Sequence, residues 1–97
     1  MTDVIAPGSL KLVTVSSPHR SLRDAVLGAL RDRFSENHVR HLSGETFIVY
    51  TDAEPAALRD QLTGLLREGE SVFVVEFERW SSHGPAADRR WLLRRGH

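Results

Sequence analysis

The sequence predicts an α+β fold, in which a four-stranded antiparallel sheet carries two helices on one face. Three observations predict it: three short runs rich in Val, Ile, Phe and Thr with a weaker run at 38–42, two segments with leucines at helical spacing, and the order strand–helix–strand–strand–helix–strand. Two right-handed crossovers around a central hairpin give the ferredoxin-like βαββαβ sandwich. A short C-terminal extension follows the last strand.

The first half of this pattern begins with a buried strand at residues 10–16 (LKLVTVS). The helix that follows has two possible starts: Ser17 as cap with Pro18 in the first turn, or Ser21 as cap. Its apolar residues recur at helical spacing, at Leu22, Val26, Ala29, Leu30 and Phe34. A weaker strand at 38–42 and a tight turn at 43–45 lead to a clear strand at 46–51 (TFIVYT).

The second half begins with a helix that has Pro55 in its first turn and one apolar face, formed by Leu58, Leu62, Leu65 and Leu66. Gly69 stands where a left-handed C-terminal cap belongs, and residues 71–77 (SVFVVEF) form the fourth strand. The final residues read as a short helix or an edge strand. We therefore predict a flexible N-terminus at 1–9, the ferredoxin-like domain at 10–79, and an extension at 80–97 that packs on the sheet or on a partner.

Composition narrows the classes of protein. The chain has no cysteine, no apolar run long enough to span a bilayer and no signal-peptide pattern, so we expect a cytoplasmic protein without a membrane partner. The net charge is zero, but the charges are unevenly distributed. Residues 44–78 hold eight acidic and two basic residues, whereas residues 79–97 hold one acidic and five basic residues. Such asymmetry gives the C-terminal extension a local positive field.

The sheet is predicted to be apolar on both sides. Strands three and four alternate hydrophobic residues on each face, and two helices cover only one of them. We expect a homodimer that buries the second face, or cover from the C-terminal extension. The residues predicted for that interface are Ile48, Tyr50, Val72 and Val74.

The stretch SSPHR (residues 16–20) is the first candidate for chemistry. A serine nucleophile would need a base and an orienting third group, and the sequence supplies no recognisable third group. A capped turn that opens a helix explains both Ser and Pro, and the remaining interpretation is an anion site at His19 and Arg20. His38 and His41 would point to opposite faces of a strand, so we predict no metal site and no cofactor.

The second candidate is DRRWLLRR (residues 88–95). Its four arginines, Arg89, Arg90, Arg94 and Arg95, would contact phosphates, while Trp91 would anchor the segment or stack on a base. The alternative is an amphipathic tail whose apolar side packs on the domain while the arginines stay solvated.

The second half of the chain also carries a family resemblance. ETFIVYTD is followed by LRDQL, SVFVVEF, Trp80, Gly84 and a closing WLLRR. This series, over residues 45–95, resembles small SinR-like proteins, which are similar in turn to the CRISPR-associated endoribonuclease-like family. The resemblance implies a ferredoxin-like homodimer. In nuclease members of that family an aspartate at the end of strand one is the proposed magnesium ligand, and here Ser16 and Ser17 stand there.

The sequence therefore favours a non-catalytic homodimer that binds DNA or RNA, or that serves as a scaffold for a partner protein in a bacterial system. Two alternatives stay open. One is a divergent nuclease that uses His19 and Arg20 in place of a metal. The other is a small-ligand regulatory domain, although SSPHR contains no glycine-rich loop.

Overall fold

The computed structural model describes residues 8–95 and has a four-stranded antiparallel sheet and three α-helices in that part of the chain. The strands are β1 (Ser9–Ser16), β2 (Val39–Ser43), β3 (Thr46–Thr51) and β4 (Ser71–Phe77). The helices are α1 (Arg23–Arg33), α2 (Pro55–Thr63) and α3 (Arg89–Arg94), and a 3₁₀ turn (Glu36–His38) precedes β2. Residues 1–7 of the predicted flexible N-terminus, and residues 96 and 97 of the extension, lie outside the described part.

The strands lie in the order β2-β3-β1-β4, and every neighbouring pair is antiparallel. In the register of the sheet, Val13 lies between Phe47 and Val74, and Leu12 lies between Ile48 and Val75. Because successive side chains of a strand point to opposite sides, these two rows mark the two faces of the sheet. We name the side of Val13 the helical face and the side of Leu12 the C-terminal face.

The helical face holds the larger core. Helices α1 and α2 both pack on it, because each presents an apolar stripe at helical spacing. Its fully or almost fully buried side chains are Val13, Val15, Leu22, Val26, Leu30, Val39, Phe47, Val49, Leu58 and Leu62. Within residues 8–95, no helix has the length and apolar composition needed to cross a bilayer.

Helix α1 begins later than predicted. It starts at Arg23, so both predicted cap residues, Ser17 and Ser21, precede it. The Ser17 hydroxyl accepts hydrogen bonds from the backbone N–H groups of the following bend, and the Glu45 carboxylate accepts the Leu22 N–H at 2.7 Å. A side chain distant in sequence thus satisfies a free N–H at the helix start, and local pattern does not reveal such a partner.

Helix α2 ends earlier than predicted. Its C-terminal cap is Gly64, with an ordinary helical φ of −64°, so the two predicted face residues Leu65 and Leu66 lie beyond the helix. Both still pack against the core of the helical face. Gly69 has a positive φ of 82°, but it occupies a separate turn just before β4. The first residue of β2 is Val39, because the 3₁₀ turn takes up His38.

The C-terminal face is covered by α3 of the same chain. Trp91 and Leu92 are buried there against Leu10, Ile48 and Tyr50. Residues 80–87 cross the face between β4 and α3, and Trp80 and Ala87 pack at the margin of this cluster. The extension therefore buries part of the face that two helices alone would leave in water.

Candidate nucleic-acid interface

Helix α3 begins at a side-chain cap. The Asp88 carboxylate accepts the backbone N–H of Trp91 at 3.0 Å, which satisfies one of the free donors of the first turn. That hydrogen bond, together with Arg40 nearby, lowers the pKa of Asp88. The carboxylate also lies 3.5 Å from the Arg40 guanidinium, so this cap links α3 to β2.

Trp91 anchors the helix. Its side chain is 1 % exposed, and its ring lies beneath the guanidinium groups of Arg40 and Arg95, at 5.2 and 4.7 Å from the ring centre. The indole N–H donates to the backbone carbonyl of Asn37, and the Arg95 guanidinium donates to the same oxygen. A ring buried in this way anchors the segment and is not accessible for stacking on a nucleic-acid base.

Positive charge concentrates above this ring. Partial burial lowers the pKa of Arg95, and the neighbouring Arg40 and Arg94 lower it further, while Tyr50 and Asp88 act in the opposite direction. Burial also lowers the pKa of His38, and Arg95 adds to that effect. The Arg95 guanidinium is therefore close enough to those of Arg40 and Arg94 to be repelled by both.

The five predicted contact residues take different places. Arg89, Arg90 and Arg94 are exposed, whereas Arg95 is half-buried and bound to Asn37, and Trp91 is buried. We name Arg40, Arg89, Arg90, Arg94 and Arg95 the arginine surface.

Arg40 is the member that the sequence analysis missed. It stands opposite Ile48 in the sheet register, so it shares the C-terminal face with the residues under α3. Only the register of the β2–β3 hairpin reveals that Arg40 lies on the same face as α3.

The turn SSPHR is tied to the loop before β4. The Arg20 guanidinium donates two hydrogen bonds to the Glu70 carboxylate, both at 2.7 Å, and a third to the carbonyl of Leu65. The Ser17 hydroxyl donates to the same carboxylate at 2.7 Å. Arg20, the backbone N–H of Arg67 and Ser17 together hold the pKa of Glu70 well below its usual range.

This arrangement changes the interpretation of His19 and Arg20 as an anion site. His19 is exposed, but the charge of Arg20 is balanced by a carboxylate that is itself 1 % exposed. Arg20 therefore acts as a bridge between two loops, and an incoming anion would have to displace Glu70.

The four residues predicted for a dimer interface do not form one surface. Ile48 and Tyr50 lie on the C-terminal face beneath Trp91 and Leu92, whereas Val72 and Val74 lie on the helical face against its core. The register explains the division, since Val74 is opposite Val13 and Ile48 is opposite Leu12. The sequence shows that both faces are apolar, but it does not show which strand positions share a side.

An open apolar groove of about 550 Å³ lies beside α3 on the C-terminal face. Its floor is formed by Leu12, Ile48 and Val75, and residues of the extension form its wall. In the described part of the chain, no three His, Asp or Glu side chains group closely enough to hold a metal ion. Comparisons of the chain with protein-family models, with curated proteins and with solved structures find no match.

Proposed function

We propose that this chain is a non-catalytic, homodimeric protein of the ferredoxin-like type that binds the phosphates of a nucleic acid through the arginine surface. The observation that carries the proposal is the grouping of Arg40 and Arg95 over the Trp91 ring, at 5.2 and 4.7 Å from its centre, beside the exposed Arg89, Arg90 and Arg94. Like charges held this close are destabilising when alone, and a phosphate placed among them relieves the repulsion.

The element order and the strand order support the ferredoxin-like assignment. Strands β1 and β3 are central, β2 and β4 are at the edges, and α1 and α2 cover the same side. This arrangement is compatible with two crossovers of the split βαβ type. The proposed relationship to the CRISPR-associated endoribonuclease-like family depends on this scaffold and on the motifs in residues 45–95.

The end of β1 supports a non-catalytic role. The family's metal ligand would stand at Ser16 or Ser17, and neither residue is a carboxylate. Glu70 is the carboxylate bound to Ser17, and its oxygens already accept hydrogen bonds from Arg20 and from the Arg67 N–H. Since a hard cation needs free oxygen ligands, these residues do not fit a magnesium site.

The geometry of α3 favours phosphate over base recognition. Guanidinium groups stay protonated at any physiological pH and bind phosphate oxygens through paired N–H donors. The aromatic ring at the centre is buried, so no stacking platform accompanies the arginines. We therefore expect binding that depends strongly on salt and weakly on nucleotide sequence.

The test is fluorescence anisotropy with a labelled single strand of about 20 nucleotides, as DNA and as RNA, and with a duplex of the same length. Replacing Arg89, Arg90 and Arg94 with Ala leaves Arg40 and Arg95 to hold Trp91. We expect the triple variant to lose at least about tenfold in affinity and to reduce the salt slope by about 2. The matched control replaces Arg23, Arg31 and Arg67, three exposed arginines outside α3, and removes the same charge.

The two triple variants separate a site from a general charge effect. Equal losses in both would show that only net charge matters, and the arginine surface would not be a binding site. An absence of binding by the unaltered protein to all of these probes at low salt would refute the proposed function itself.

A further inference from the structure

The two edges of the sheet are protected to different degrees. The β2 edge is a five-residue strand that carries Arg40 and His41, and its register shifts between His41 and Ser43. Charge, short length and irregular register are the means by which proteins prevent an edge from pairing with another chain. The β4 edge is less protected, because its seven residues, SVFVVEF, contain neither Lys nor Pro, carry one charge, at Glu76, and pair regularly with β1.

Exposed apolar side chains concentrate on the β4 edge. Phe73 is 61 % exposed and Val75 is 37 % exposed, and both point to the C-terminal face. Leu93 on α3 is the other large apolar side chain that is exposed within residues 8–95. In that part of the chain, no strand pairs with the outer edge of β4.

We propose that β4 pairs with the β4 strand of a second copy of this chain, antiparallel, about a two-fold axis at Val74. Val74 is the midpoint of Ser71–Phe77, so this register pairs all seven residues. Phe73 then lies opposite Val75 of the second copy, and Val75 lies opposite Phe73. The two exposed side chains thus cover each other twice, as a cross-strand pair of an aromatic with a β-branched residue. The inference rests on the homodimer of the proposed function and names its interface.

Charge is complementary in the same register. Val72 lies opposite Glu76 of the second copy, on the helical face. Arg59 of α2 borders the same part of β4, beside Val72 and Val74. Its ion pair with the adjacent Asp60 is exposed on both sides, so Arg59 can turn to a new carboxylate at little cost. Glu76 is held in place by Ser9 at 2.8 Å and by Lys11 at 3.2 Å.

The symmetry has a consequence for the arginine surface. A two-fold axis perpendicular to a continuous eight-stranded sheet keeps both C-terminal faces on one side. Both copies of α3 then face the same direction, and one nucleic-acid molecule can contact both. The occupant of the β4 edge is accordingly a second copy of the same chain, which covers the exposed pair and doubles the phosphate-binding surface.

The test measures mass in solution, by sedimentation, for the unaltered protein and for two matched variants. Phe73→Glu places a charge on the β4 edge, and Leu93→Glu makes the same change at the exposed apolar position of α3. We expect a dimer for the unaltered protein and for Leu93→Glu, and at least about a tenfold rise in the dimer dissociation constant for Phe73→Glu. Far-UV circular dichroism checks that both variants are folded.

Single cysteines test the register, because the chain has no cysteine of its own. A mixture of Phe73→Cys and Val75→Cys should form a disulfide-linked heterodimer under mild oxidation, faster than either variant alone. If the dimer persists in Phe73→Glu, or is lost in Leu93→Glu instead, the β4 interface is wrong. The homodimer of the proposed function would then form through another surface. A monomer at every concentration would overturn the homodimer as well, while phosphate binding is judged separately by the anisotropy test.

Discussion

The two faces of the sheet are covered by different means. The helical face is packed by α1 and α2, which connect β1 to β2 and β3 to β4, and ten apolar side chains are buried there. The C-terminal face is packed by a six-residue helix on a terminal extension, with five buried side chains and an open groove beside them. A helix this short has little stability of its own, so its place depends on its contacts. The face that carries the arginine surface is therefore also the face that can open locally.

Replacing Trp91 with Ala should have the largest effect on the C-terminal face. We expect a loss of about 3 kcal/mol in the free energy of unfolding, because a large buried ring and its two guanidinium contacts disappear. Hydrogen exchange should show the amides of α3 unprotected while those of α1 stay protected, since opening of the extension leaves the helical face intact.

The control for that experiment is Phe47→Ala on the helical face. Phe47 is fully buried among residues of α1 and α2, so its loss should cost about 3–5 kcal/mol and raise exchange in every element together. If Trp91→Ala also raised exchange uniformly, the two faces would form one cooperative unit, and the C-terminal face would not open on its own.

Acid should separate two regions of the molecule, because His38 beside the C-terminal face and Glu70 in the loop before β4 titrate in different ranges. The pKa of His38, beside Tyr50 and Arg95, is lowered in the folded protein, so the unfolded chain binds the proton more tightly. The contribution of neutral His38 to the free energy of unfolding is therefore present above about pH 6.5 and is lost as the pH falls below that value. The pKa of Glu70 is lowered much further, so the stability from its ion pair with Arg20 is lost only below about pH 4.

Tryptophan fluorescence reports this order, because both tryptophans, Trp80 and Trp91, belong to the C-terminal face. Between pH 7 and about 5.5 we expect the midpoint of urea unfolding followed by fluorescence to fall before that followed by far-UV circular dichroism. His38→Gln should remove this early decrease and leave the later one in place. Coincident curves at every pH for both proteins would contradict a separate response of the two faces.

The sequence predicted the succession of β1–β4, α1 and α2 along the chain, because each of these elements carries its own periodicity. The β-branched run of β1 and the leucines of α2 are local signals, and Pro55 stands in the first turn as expected. The start of α1 could not be predicted in this way. The Ser21 hydroxyl does accept the Arg23 N–H, at 3.4 Å, but the Leu22 N–H is accepted by Glu45, which lies 23 residues away. Contacts between distant residues thus supplement local capping at this helix start.

The sequence predicted only the part of the candidate site whose residues are neighbours along the chain. The arginines of α3 are adjacent in sequence, so their cluster was visible as a run. Arg40 joins them only through the register of β2 and β3. Arg20 is not available to bind an anion, because its guanidinium is paired with the Glu70 carboxylate. Charge that is gathered or neutralised by folding leaves no local pattern, and this limits what a single sequence tells about a binding surface.

The smallest expected effect concerns Gly28 in α1, on the outer side of the helical face. A Cβ at this position would meet no atom within 4 Å, and the residue is exposed, so Gly28→Ala adds helix propensity without a clash. We expect a gain of about 0.5–1 kcal/mol in the free energy of unfolding, measured by urea denaturation.

The same change at Gly44, in the β2–β3 turn with a φ of +51°, should destabilise, because an alanine is strained there although space is open. If both glycine variants gained stability, backbone conformation would not decide the sign. Because α1 touches only the helical face, Gly28→Ala should leave hydrogen exchange in α3 unchanged, which makes it the most sensitive test that the two faces are independent.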